Sequence, residues 1–144
     1  METKKILIVD DDIDIIVLNR APASVALMRN AGDGRFVRAH AFAIGQDATA
    51  IATADLDGDG ILDLAITSAG EDLVSVALGL DNGWFRVPVE YATGNAPADV
   101  AIADIDGDGN LDLLTANAGD DTLSYLLGSG NGTFADAVAL TIDA

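Results

Sequence analysis

Asp104-Ile105-Asp106-Gly107-Asp108-Gly109-Asn110-Leu111-Asp112 places aspartates at its first, third, fifth and ninth positions and glycines at its fourth and sixth. Asp55-Leu56-Asp57-Gly58-Asp59-Gly60-Ile61-Leu62-Asp63 repeats the pattern 49 residues earlier. An internal repeat decides a fold before any local reading does. The offset carries past the acidic stretch, from Leu64 to Leu113, Gly83 to Gly132 and Phe85 to Phe134. One step towards the N-terminus it reaches Asp14, Gly34 and Phe36. Ser24-Val25-Ala26-Leu27 matches Ser75-Val76-Ala77-Leu78 at an offset of 51, which implies two fewer residues before that run in the first copy. Three copies, about 4–46, 47–95 and 96–144, fill the 144 residues as a single repeat domain over 1–144.

Each copy reads as four short strands. In the third copy these are 99–105, 111–117, 122–127 and 137–142. Val, Ile, Leu and Thr dominate them, and Gly, Asn and Asp clusters separate them, as strands and tight turns require. No segment sustains an apolar period of a helix. Four strands in a repeat of this length predict an all-β fold of propeller blades, three four-stranded antiparallel blades per chain.

The composition narrows the partners. Half of the residues are apolar, enough for a core, and the net charge is −17. Such a charge argues against nucleic acid and against anionic membranes. Six of the seven basic residues (Lys4, Lys5, Arg20, Arg29, Arg35 and Arg38) lie in the first copy, and Arg86 is the seventh. Copies two and three thus carry a concentrated negative charge that bound divalent cations would relieve. The absence of cysteine removes disulfides, thiolate metal sites and cysteine nucleophiles. No apolar run has the length of a membrane span, so no membrane insertion is expected. Ile6-Leu7-Ile8-Val9 is too short for the core of a signal peptide.

The acidic stretches suit calcium. That ion takes six to eight oxygen ligands, and a curling loop with alternating aspartates points their carboxylates inward. Glycine at the sixth position permits the sharp turn, and the seventh residue can offer its carbonyl. The predicted ligands are Asp55, Asp57, Asp59, the Ile61 carbonyl and Asp63 in one loop. In the other they are Asp104, Asp106, Asp108, the Asn110 carbonyl and Asp112. Position 12 holds Ile66 or Thr115 rather than glutamate, so these are not EF-hands and the ninth aspartate is the expected bidentate closing ligand. Two Ca2+ sites per chain follow. The competing reading is a pair of solvated Asx-turns, which leaves the like charges unrelieved. In the first copy Ile6 and Ile8 replace two carboxylates, so Asp10, Asp12 and Asp14 read as a solvated turn.

The two DxDGDGxxD loops, the Gly-x-Phe elements at Gly34/Phe36, Gly83/Phe85 and Gly132/Phe134, and Ala96-Pro97-Ala98-Asp99-Val100-Ala101 resemble the FG-GAP/VCBS repeats of integrin α-subunit-like propellers. The resemblance covers nearly the whole chain. It implies four-stranded blades, calcium in the hairpin between first and second strands, and an extracellular or cell-surface protein that recognises proteins or glycans. Gln46-Asp47-Ala48 departs from the family's approach to the loop. Lys4 to Asp12 also resembles the opening of a response-regulator receiver domain, but the chain lacks the alternating helices such a domain needs.

Propellers have four to eight blades, so three leave two open faces. A homodimer, with the first copy of each chain on the third copy of the other, would close six; a fragment of a longer propeller or a larger assembly is the alternative. The function expected is a non-catalytic, calcium-binding recognition or scaffold module that self-associates to complete the propeller. The alternatives are a carbohydrate-binding lectin with sites between blades, since propellers with related repeats include such sugar binders, or an engineered or evolutionary repeat protein with no ligand beyond calcium. Trp84, the one tryptophan, is a hairpin-tip residue that packs locally or an aromatic platform for a sugar or protein ligand. His40, the one histidine, reads as a plain surface residue of an outer strand. With a single histidine so placed, no catalytic triad is supported, and no enzyme activity is expected.

Overall fold

Among the described residues, twelve strands arise where the β-branched and apolar runs fall. The computed structural model describes residues 4–7, 15–20 and 22–142. Strands β1 (Lys4–Leu7), β2 (Ile15–Arg20), β3 (Ala23–Asn30) and β4 (Phe36–Ala43) form the first sheet. Strands β5 (Ala48–Ala54), β6 (Asp63–Ser68), β7 (Leu73–Ala77) and β8 (Val89–Ala92) form the second. Strands β9 (Pro97–Ala103), β10 (Asp112–Asn117), β11 (Thr122–Leu126) and β12 (Val138–Thr141) form the third. Every sheet is an antiparallel meander whose spatial order is its chain order. The described residues include no helix, and none long and apolar enough to cross a membrane.

The sheets stack by their faces, and strand alternation assigns the faces. Ile16, Leu18, Val25 and Leu27 of the first sheet meet Ile51, Leu64, Ile66 and Ala77 of the second. The opposite face of the second sheet, with Ala50, Ala65, Val74 and Val76, meets Val100, Leu113, Leu126 and Phe134 of the third. Strand β6 lies between both interfaces, and all six of its residues are buried. Each fully buried Leu or Ile there contributes about 1.5–3 kcal/mol.

Strand register corrects the offset of 51. Ile16 pairs with Leu27 as Ala65 pairs with Val76 and Leu114 with Tyr125. Leu27 therefore occupies the place of Val76, and the offset of 49 holds through the third strand. The shared Ser-Val-Ala-Leu string is displaced by two residues, which preserves its in–out alternation and makes the mismatch invisible to pattern.

The first strand of the third copy also ends earlier than its sequence suggests. It runs Pro97–Ala103 rather than to residue 105, because the Asp104 carboxylate accepts the loop's own N–H groups and draws the chain out of the ladder. The departure at Gln46-Asp47-Ala48 leaves the backbone unchanged. Asp47 (φ 53°) and Ala96 (φ 49°) both adopt the left-handed conformation. Their carbonyls accept the equivalent N–H groups of Ala69 and Ala118.

Candidate metal centre

The loop between β5 and β6 is wound around its first aspartate. Asp55 Oδ1 accepts the N–H of Gly58 at 2.8 Å and of Asp59 at 3.1 Å, and Oδ2 accepts that of Gly60 at 2.8 Å. Asp57 accepts from Asp59, and Asp59 from Ile61. Gly58 and Gly60 have φ of 78° and 85°, a region costly to side-chain-bearing residues. The loop between β9 and β10 is built alike. Asp104 accepts from Gly107 and Gly109, Asp106 from Asp108, and Asp108 from Asn110.

These windings bring carboxylates together. One oxygen from each of Asp55, Asp57 and Asp59 lies within 4.8 Å of the others, and Asp104, Asp106 and Asp108 do the same. Each pair of like charges at that distance costs about 1 kcal/mol in water and about 4 kcal/mol near a protein surface. An all-oxygen, carboxylate-rich set on glycine turns fits a hard divalent cation. Ile61 and Asn110 stand at the seventh positions of the two loops, where their carbonyls would join the set.

The ninth aspartates have a structural task that the sequence reading missed. Asp63 is buried to 1% exposure at the start of β6. Its Oδ2 accepts the Leu56 N–H at 2.7 Å and its Oδ1 the Gly79 N–H at 2.7 Å. Asp112 receives Ile105 and Gly128 in the same way. Each oxygen retains a second lone pair for a cation. The signal for this role lay in Gly79 and Gly128, which share the offset of 49. A Cβ at either would collide with the carbonyl of Leu62 or Leu111. Burial pushes the Asp63 carboxyl above its ordinary value; the Gly79 and Leu56 N–H groups oppose that shift, and Asp57 and Asp59 add to it. In the first copy, Asp10, Asp12 and Asp14 lie outside the described residues.

Trp84 lies in the loop between β7 and β8, half exposed at 51%. The loop is fixed by Leu80 N–H to the Trp84 carbonyl, Gly83 N–H to the Leu80 carbonyl, and Trp84 N–H to Asn82 Oδ1. His40 is not a plain surface residue. Its ring centroid lies 4.1 Å from that of Trp84, across the boundary between the first and second sheets. Sequence gives no sign of this contact, because the two residues come from different sheets.

The chain belongs to the family of FG-GAP-like repeats, whose model matches it twice, over residues 9–66 and 55–115. None of the curated proteins matches it. Among solved structures, the Tc holotoxin pore of Photorhabdus luminescens is similar, at 23% identity and a TM-score of 0.47. That match covers 90% of this chain and 6% of the toxin chain.

Proposed function

We propose that the chain is a calcium-binding, non-catalytic β-propeller module, its sheets serving as blades, that self-associates to complete the propeller. The carboxylate triads Asp55/Asp57/Asp59 and Asp104/Asp106/Asp108 support the calcium reading. The same loop built twice holds three carboxylates together, a repulsion that a bound divalent cation would offset. Calorimetric titration of chelator-treated protein with calcium should give two sites per chain. An absence of binding heat, with a melting temperature unchanged by calcium, would sink this part.

Self-association is supported by the open face of the third sheet. Two rows cross it in register, Ala101–Leu114–Tyr125–Val138 and Asp99–Ala116–Leu123–Leu140. The equivalent rows of the second sheet are Ala52–Ala65–Val76–Val89 and Ala50–Thr67–Val74–Tyr91. Ala50, Ala65, Val74 and Val76 of those rows are buried against the third sheet. On the third sheet Val138 and Leu140 are 46% exposed. A face that, Asp99 apart, repeats the apolar and small residues of an internal interface suits a first sheet of a second chain. Charge agrees, because six of the seven basic residues lie in the first copy while the other two are acidic. Light scattering should give the mass of a dimer; a stable monomer would overturn this part. The extracellular or cell-surface placement of such modules goes with this reading.

A further inference from the structure

The acidic loop of the second sheet also ties that sheet to the third. Leu56, its second residue, is buried in the cluster that includes Val100, Leu113 and Phe134. Its N–H is held by Asp63, and its carbonyl accepts the N–H of Gly132 at 3.1 Å. Gly132 lies in the loop between β11 and β12, with the Leu78 side chain over it. Two residues on, the Phe134 ring meets that of Tyr91 edge-on at 5.6 Å, and its N–H donates to the Tyr91 hydroxyl. The contact thus has three parts: a loop carbonyl on a glycine N–H, a leucine over that glycine, and an aromatic ring beyond it.

The boundary of the first and second sheets keeps an aromatic pair, Phe42 with Phe85, but not the hydrogen bond. Leu7 stands there in the place of Leu56 and pairs with Ile16 in the β1–β2 ladder, while the Gly83 N–H turns to the Leu80 carbonyl. The first copy also has Ile6 and Ile8 where the second has Asp55 and Asp57. The hydrogen bond from loop to next sheet therefore accompanies the complete acidic loop. The third sheet has such a loop and no sheet beyond it. One repeat on from Leu56, Leu78 and Tyr91 stand Ile105, Leu127 and Leu140. Ile105 and Leu140 are 44% and 46% exposed. Two repeats before Gly132 and Phe134 stand Gly34 and Phe36, and Phe36 is 43% exposed where Phe134 is buried.

We propose that the acidic loop of the third sheet docks on the β3–β4 hairpin of a second copy of this chain. The Ile105 carbonyl accepts the Gly34 N–H of the second copy, Leu127 covers that glycine, and Leu140 packs on Phe36. The proposal rests on the self-association reading above and assigns the loop and hairpin that make the contact. Both halves already have the required shape. Asp112 holds the Ile105 N–H as Asp63 holds that of Leu56. Gly34 has φ of 81° where Gly132 has 78°. Charge favours the same pairing. Arg35 replaces Thr133 beside the docking glycine, which brings a guanidinium next to the aspartates that flank Ile105. Asp33, on the other side of Gly34, is already paired with Arg35 at 3.1 Å. A different partner would have to offer a left-handed glycine with an aromatic residue two positions later, and this chain offers its own.

The chain has no cysteine, so introduced cysteines report the contact without background. Ile105→Cys and Asp33→Cys, each in the full chain, would be mixed and treated with an oxidant or a short bis-maleimide. Both positions are exposed, so both variants should melt near the parent. The mixture should yield a covalent dimer joined between positions 105 and 33, identified by peptide mass, and either variant alone should yield little. Ile105→Ser should weaken dimerisation about tenfold or more on dilution, through the lost burial of an isoleucine side chain. Val87→Ser, at an exposed position outside the contact, should dimerise as the parent does. A monomeric parent would overturn self-association and this contact together. A dimeric parent whose positions 105 and 33 fail to join, or join no better than either variant alone, would overturn this contact and leave self-association standing. So would an Ile105→Ser variant that dimerises as tightly as the parent.

Discussion

The carboxylate of Asp63 accepts the N–H of Gly79, sixteen residues further along the chain, at 2.7 Å. Its other oxygen holds Leu56 N–H, so one buried side chain joins the start of the loop to the far end of the next strand. Replacing Asp63 by Ala leaves two N–H groups without their acceptor, at about 1–3 kcal/mol each. Urea unfolding in chelator should therefore show a loss of about 2–6 kcal/mol for Asp63→Ala. Asp112→Ala should behave alike through Ile105 and Gly128. A variant that weakens calcium binding but leaves chelated stability intact would contradict this structural role.

Metal-free protein should gain stability on mild acidification. The folded-state pKa of Asp63 is raised by burial above its unfolded value. The native state therefore holds the proton where the unfolded state has released it. The stabilisation is complete below the unfolded value of about 3.8 and is lost as pH rises through the folded value. In chelator the melting temperature should rise as pH falls from neutral towards that window. Saturating calcium should flatten the rise, since the cation replaces the proton. Asp120 works in the opposite sense. The Asn95 N–H and the Thr122 hydroxyl hold it below its usual value, so its contribution fades at lower pH.

Charge and hydrogen bonding can be separated within a triad. Asp57→Asn keeps an oxygen that accepts the Asp59 N–H and removes one carboxylate charge. Calcium stoichiometry should fall from two towards one per chain, while chelated stability should hold or rise from relieved repulsion. Asp106→Asn should do the same to the other loop, through Asp108. Unchanged stoichiometry in both variants would remove these aspartates from the ligand set.

Two glycines in the same copy should respond differently to alanine. Gly79 has the Leu62 carbonyl where its Cβ would stand, so Gly79→Ala forces backbone to move and should cost about 1–3 kcal/mol or more. Gly58 has open space around it but a φ of 78°. Gly58→Ala meets only the backbone penalty, about 1–2 kcal/mol. Thermal melts of the two variants would rank them, and a larger loss for Gly58→Ala would contradict the crowding at Gly79.

On the open third sheet, Leu140→Asp should yield a monomer in light scattering, because it sets a charge beside the apolar Ala116 and Leu123 of its row. Leu140 is 46% exposed in the single chain, so the monomer's own melting temperature should change little. A dimer that persists in this variant would place the contact elsewhere.

The acidic loops were legible because their chemistry is local: nine consecutive residues contain the aspartates, the glycines and the turn. Strand order was legible because each hairpin joins neighbours. The double task of Asp63 was not, since it depends on how closely Gly79 approaches Leu62 once β6 and β7 pair. Nor was the contact of His40 with Trp84, which exists only after two sheets stack. The string Ser24-Val25-Ala26-Leu27 misled by two residues because a shift of two preserves every inward and outward side chain.

The third sheet displays to solvent the face that the second buries against it, so a chain that docks by this route has a donor end and an acceptor end. Each chain added covers one such face and presents another of the same kind. A surface of this type has no stopping point of its own. Growth ends only when the accumulated rotation returns the last face to the first. A substitution that alters the rotation between neighbouring sheets would therefore turn a closed ring into an open filament without touching the contact between chains.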